Sequence, residues 1–170
     1  ISQLETDRGG RLYVGDIGRQ IVAVFTPYGE LIREVPCQRS GFAIDAAGNM
    51  HQLDYQEKYG YIHRVYSHQG HLLRYLHLGM HKFQNPKIWG INERGGLLVS
   101  FVPENGFEGK LKLFEFAGDA SVLRRCELLP GRSMNRFVAL SDQQLWLAEA
   151  DFAAAPAGQF KIKSLDWDVK

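Results

Sequence analysis

Five of the six histidines of this chain fall between residues 61 and 83, in the run YIHRVYSHQGHLLRYLHLGMHKF. Imidazole ligates metals and moves protons near neutral pH. The run therefore raises a choice between a metal site, an anion-binding surface and repeat sequence that happens to be rich in histidine. From Lys58 to Asn92 there is no Asp or Glu, while Lys58, Arg64, Arg74, Lys82 and Lys87 are basic. Tyr59, Tyr61, Tyr66, Tyr75, Phe83 and Trp89 are interleaved with them, a mixture suited to phosphate pairing and to stacking on bases or sugars. Strand geometry sends alternate residues to opposite faces, so packing aromatics and solvated cations are the simpler account.

Other chemistry-bearing patterns are thin. GxSxG, HExxH, P-loop and GxGxxG motifs are absent. Cys37 and Cys126 lack CxxC spacing and read as two small buried hydrophobes. At 170 residues and 19.3 kDa the chain has the size of one domain, residues 1–170. With 45% hydrophobic and 23% charged residues its composition is globular. Aromatics at 12% and 18 glycines favour strands joined by tight turns. A formal net charge of +1 supplies no global field for nucleic acid or acidic membrane, and no apolar run approaches the roughly 20 residues that span a bilayer.

The elements that position the histidines emerge from an internal repeat. IVAVFTPYGELIREV (21–35) aligns with IHRVYSHQGHLLRYL (62–76) and, more loosely, with KLFEFAGDASVLRRC (112–126). Each reads strand, four-residue turn, strand. Shorter strand–turn–strand units precede them, and the full unit recurs at Asp7, Asp45, Asn92 and Ser141, after 38, 47 and 49 residues. Four-stranded units of roughly 40–50 residues are the signature of propeller blades. The expectation is an all-β chain: a β-propeller of about four four-stranded antiparallel blades (1–37, 38–80, 81–130 and 131–170), part of a larger ring. Strands are labelled a to d within each blade, from the channel outward.

GRLYVGDIGRQIVAVFTPYGELIREV (10–35) resembles an NHL-type propeller blade, with its small-turn Gly, "LYVGD", basic b–c loop and "I-x-V-F-x-x-x-G-x-L". The resemblance weakens toward the fourth blade. It implies rings of six or so blades, so further blades or another copy are expected to cover the open faces of the first and last. Some NHL-like domains bind RNA, and related propellers include lyases and lactonases whose catalytic groups surround the channel. Here the innermost strands carry only Glu5 and Asp45 as acids, and no histidine.

Placed on the blades, the histidines spread out. His63 falls on strand c, His68 and His71 flank the c–d turn, and His77 and His81 fall past the far end of strand d. Seven strand residues separate the two pairs by roughly 20 Å, too far for one ion. His68 and His71 could share one, but no carboxylate lies in their turn. No metal site and no cofactor are expected, and the run reads as solvated turn histidines.

The b–c spacing grows from 13 (Leu12 to Phe25) to 16 (Met50 to Tyr66) to 19 (Leu97 to Phe116). Insertions on one face of a repeat array point to that face as the binding face. It would present Arg19, Tyr55, Lys58, Tyr59, His81, Lys82, Phe83, Glu104, Asn105, Phe107 and Phe152. The first function expected is thus a non-catalytic binding or scaffold module for a protein or glycan, in an extracytoplasmic or secreted setting. The alternatives are an RNA- or polyanion-binding propeller using 58–92, and a fragment of a lyase- or lactonase-like enzyme. Arg33, Arg74 and Arg124, equivalent on strand d, are expected to hold their heads at the solvated outer rim, and the two cysteines to stay unlinked.

Overall fold

The computed structural model describes residues 3–16, 18–37, 41–92, 94–104, 111–128, 134–140, 145–151, 159–165 and 168–169, with side-chain burial as far as Cys126. Among these there is no helix. Blade 1 is β1 (Gln3–Thr6), β2 (Leu12–Asp16), β3 (Ile21–Phe25) and β4 (Leu31–Pro36), hydrogen-bonded in that order. Blade 2 repeats the pattern with β5 (Phe42–Ile44), β6 (Met50–Gln56), β7 (Gly60–Tyr66) and β8 (Leu72–Gly79). Blade 3 comprises β9 (Phe83–Ile91), β10 (Leu97–Pro103), β11 (Leu111–Phe116) and β12 (Val122–Leu128). The fourth sheet has three described strands, β13 (Met134–Leu140), β14 (Leu145–Asp151) and β15 (Gln159–Leu165). The short β16 (Asp168–Val169) instead joins blade 3, pairing antiparallel with the outer edge of β12. Inner strand β5 touches both β1 and β9, as neighbouring strands around a common channel would.

The repeat is written in the turns. Between the first two strands of each blade, Asp7, Asp45 and Asn92 accept backbone bonds from Arg11, Asn49 and Gly96 (3.0, 2.8 and 2.7 Å). Asx side chains close turns in this way because their short oxygen mimics a backbone carbonyl. Thr26 and Ser67 do the same for the c–d turns of blades 1 and 2, binding the Glu30 and His71 amides at 3.1 and 3.2 Å.

The core lies in the seams between blades. Tyr13, Val22, Val24 and Val35 of blade 1 pack on Phe42 and Met50 of blade 2. Ala43, Leu53, Tyr61 and Leu78, from the other face of blade 2, pack on Ile88, Leu97, Val99, Phe101, Phe114 and Phe116 of blade 3. The burial pattern follows. In β2 and β3, buried and part-buried residues alternate, whereas the first four residues of β6 and of β7 are all buried. A strand covered on both sides has no solvent face to alternate with.

Three expectations need correction. The wider b–c spacing of blade 2 lengthens strands rather than a loop: β6 and β7 have seven residues each against five in β2 and β3, and the turn is only Glu57–Tyr59. His77 lies within β8, not beyond it. Of the strand-d arginines, Arg33 and Arg124 do not hold solvated heads at the rim, while the Arg74 head stays exposed. Arg74 Nη1 donates to the Gly118 carbonyl of blade 3 at 3.1 Å, and Arg124 Nε donates to Glu115 Oε2 at 2.6 Å. The Arg33 guanidinium sits 3.8 Å from where a Cβ on Gly70 of blade 2 would stand. Arg33 and Arg74 thus meet the c–d turn of the next blade, whereas Arg124 pairs within its own. Cys37 and Cys126 are both buried, without a disulfide.

Candidate functional site

The register places the b–c and d–a connections at one end of the sheets: Asp16 opposes Ile21, Gln56 opposes Gly60, and Phe83 opposes Pro103. At this end of blade 2 the strands close tightly. Gly60 and Tyr61 both oppose Gly79, a bulge, and a Cβ on Gly60 would collide with the Gly79 carbonyl. Gly60 also has φ 72°, which an L side chain adopts only under strain. The close approach sets Tyr59, in the turn, against His77 on β8.

An aromatic row results. The Tyr59 and His77 rings meet edge-on with centroids 4.6 Å apart, and His77 meets Tyr75 at 5.1 Å and 84°. Lys58 Nζ lies 5.0 Å from the Tyr59 centroid and the Arg64 guanidinium 5.8 Å from that of Tyr75, so a cation stands at each end. The Tyr75 hydroxyl donates to Gln56 Oε1 at 3.4 Å, and Asp54 pairs with Arg64 at 2.5 Å. Tyr75, His77 and Arg64 share the blade face of Ile62 and Met50, the face turned to blade 1. Tyr59 is 39% exposed and Tyr75 38%.

The expected site residues divide. Lys58 and Tyr59 stand together in this row. Tyr55, exposed, packs on Tyr61 at 5.0 Å, on the face turned to blade 3. His81 and Lys82 are exposed in the turn before β9, and the Lys82 carbonyl accepts the Glu104 amide at 2.8 Å. Phe83 belongs to the seam, with Phe114 at 5.4 Å and Phe101 at 5.7 Å. Arg19 pairs with Glu34 of blade 1 at 3.0 Å, away from the row. Asn105, Phe107 and Phe152 lie outside the described residues. The sequence reading passed over His77 and Tyr75 as parts of this site. Their i, i+2 spacing on one strand, opposite a turn carrying Tyr59, was the available signal.

It also missed a second cluster, at the opposite end of blade 2. His51, the histidine outside the run, has Nδ1 2.9 Å from His63 Nε2 and Nε2 3.2 Å from Asp45 Oδ2. Both imidazoles are buried, with rings stacked at 5.0 Å. His51 opposes Val65 and Leu53 opposes His63, so the histidines are diagonal neighbours on one face. Burial pushes both below the usual histidine range, His63 to about 3 with further opposition from His51 and Arg74. Burial works to raise the Asp45 pKa, but bonds from Asn49 and His51 outweigh it and hold the carboxyl low. The three groups form a line, and no group of three or more His, Cys, Asp or Glu among the described residues is placed to hold a metal ion. A cavity of about 360 Å³ beside the turns of blade 3 is lined by Asn92, Gly96, Glu115, Gly118 and Arg124, whose polar groups bind one another.

No protein-family model matches the chain, and no curated protein matches it. Solved structures do. A protein of unknown function from Bacteroides caccae superposes with a TM-score of 0.54 at 16% identity, over 92% of this chain and 57% of that one. A virginiamycin B lyase from Staphylococcus aureus gives 0.54 at 10% identity, over 95% of this chain and 54% of the lyase. A streptogramin B lyase gives 0.50 at 10% identity, over 96% and 68%. The chain spans little more than half the length of the first two. At such identities the likeness concerns architecture alone: the chain is an all-β arrangement of antiparallel propeller blades.

Proposed function

We propose that this chain is a binding module that engages a protein or glycan partner through the aromatic and basic end of blade 2. The observation that carries this reading is the exposed row Tyr59–His77–Tyr75, flanked by Lys58 and Arg64. Rings locked edge-to-face lose little further entropy on binding, and they offer apolar area beside hydroxyl and ammonium donors. Polyanion binding draws less support, because several cations of 58–92 are already engaged: Arg64 with Asp54, Arg74 with Gly118, and Lys87 over the Trp89 ring at 3.9 Å. Acid–base catalysis draws less still, since His51 and His63 are both 2% exposed and out of reach of a substrate.

The test is a screen of arrayed glycans and purified extracellular proteins with wild type, Tyr59→Ala and Tyr75→Ala. A genuine ligand loses at least about tenfold in affinity in either variant, with thermal unfolding unchanged and only a shallow dependence on salt. Ligands that bind both variants like wild type would overturn the assignment, and a steep salt slope would return it to polyanions.

A further inference from the structure

The outer strand of a blade is a sheet edge, with a row of backbone donors and acceptors facing outward. In blade 3 that edge is partly taken: β16 pairs with β12, Val169 opposite Arg124 and Asp168 opposite Arg125. The edge of β4 ends in Pro36, which cannot donate. The edge of β8 differs from both. At eight residues, Leu72–Gly79, it is the longest outer strand among the described residues, contains no proline and pairs there with β7 alone. Leu72 and Leu73 are 53% and 58% exposed on it. Long, apolar, unpaired edges are where sheets accept further strands.

We propose that β8 is a strand-accepting edge, and that its occupant is an extended segment of a partner protein, alternating acidic and apolar residues and running antiparallel to β8. Pairing at β12 supplies the precedent. The equivalent β8 positions are Arg74 and Tyr75, and the surrounding stretch from Lys58 to Asn92 has no acid of its own. The Gly118 carbonyl that Arg74 meets is neutral and leaves its charge uncompensated, so an acidic residue of the added strand is complementary to Arg74, and its apolar residues would cover Leu73 and the Tyr75 ring. The inference rests on the binding-module reading and narrows its partner to a peptide strand.

The probe is the synthetic peptide of residues 164–170, Ser-Leu-Asp-Trp-Asp-Val-Lys, which has the required alternation. Added to the intact protein, it is expected to slow hydrogen exchange of amides in β8, and to lose at least about tenfold in affinity when alternate peptide amides are N-methylated, since that removes the ladder and keeps the side chains. Leu73→Lys, at an exposed position, weakens binding by a similar factor in a protein that remains folded. Equal binding of the N-methylated peptide, or protection confined to β12, would overturn the proposal. If β8 stays unprotected while a glycan is bound and lost in Tyr59→Ala, the strand inference fails and the binding-module reading stands.

Discussion

Neutral His51 has one ring proton to divide between two hydrogen bonds, and the Asp45 carboxylate decides where it goes. A carboxylate only accepts, so His51 carries its proton on Nε2, its Nδ1 accepts, and His63 must donate from Nε2. One acid therefore fixes two tautomers inside the seam between blades 2 and 3. The arrangement suits neutral rings: His63 is held down to about 3 by burial, by the charge that His51 takes on only when protonated and by that of Arg74, and His51 is lowered by burial despite Asp45. A folded-state pKa below the unfolded one means that the unfolded chain binds more protons, so stability falls as the pH drops. From the ordinary histidine value near 6.5 down to about 3, loss of roughly a few kcal/mol is expected. Above pH 7 the two residues contribute no slope. Asp45, whose pKa is also lowered, loses its stabilising bonds in the same direction at the acid end. Urea unfolding at pH 7, 5.5 and 4.5 measures this. His63→Gln, which keeps an amide donor for His51, should flatten the slope; an unchanged slope would mean that His63 titrates alike in both states.

The turns show how far one sequence pattern can be followed as an element and where it lapses. Positive φ closes the c–d turn in all three blades: Gly29 at 86°, Gly70 at 88°, and Ala120 at 70°. A side chain in the left-handed region costs about 1 kcal/mol, and blade 3 carries it without the Thr26 or Ser67 hydroxyl that supports the other turns. Ala120→Gly is therefore expected to raise stability by about 0.5–1 kcal/mol in denaturant titration; destabilisation would show that the Ala120 methyl, packed against the blade 3 cluster, outweighs the backbone. The same regularity explains what was legible. The spacing of Asp7, Asp45 and Asn92 located the turns because each side chain performs the same local bonding, which needs no tertiary information. The aromatic row and the histidine pair were not legible, because both depend on register across a hairpin: a three-residue turn at 57–59 with two longer strands, rather than a longer loop, brings Tyr59 to His77 and sets His51 diagonal to His63. A spacing of residues cannot distinguish those two ways of using the same length. The Arg33 and Arg74 heads meet the c–d turn of the next blade, a contact between blades that no spacing within one blade reveals.

At the scale of the whole molecule, cohesion lies in the seams, because each blade is a sheet only one residue layer thick and buries its apolar faces on its neighbours. Stability in such arrays is carried by nearest-neighbour interfaces, and the two described seams have no residue in common. Phe101 is the centre of the second: fully buried, it packs on Tyr61 of blade 2 at 5.2 Å and on Phe114 and Phe116 of blade 3 at 5.8 and 6.5 Å. Phe101→Ala should cost about 3–5 kcal/mol. Its distribution is the more telling quantity. Because blade 2 is sandwiched, losing one seam should speed hydrogen exchange in β6, β7 and β8 as well as in β10 and β11, while β2 and β3, held by Tyr13 and Val22 against Phe42 and Met50, change less. The row Tyr59–His77–Tyr75 would loosen with blade 2 although it stands on the face turned to blade 1, so ligand affinity at that end should fall along with stability. Uniform acceleration across all three blades would instead mean that they unfold as one cooperative unit, with the seams too strongly coupled to be weakened singly.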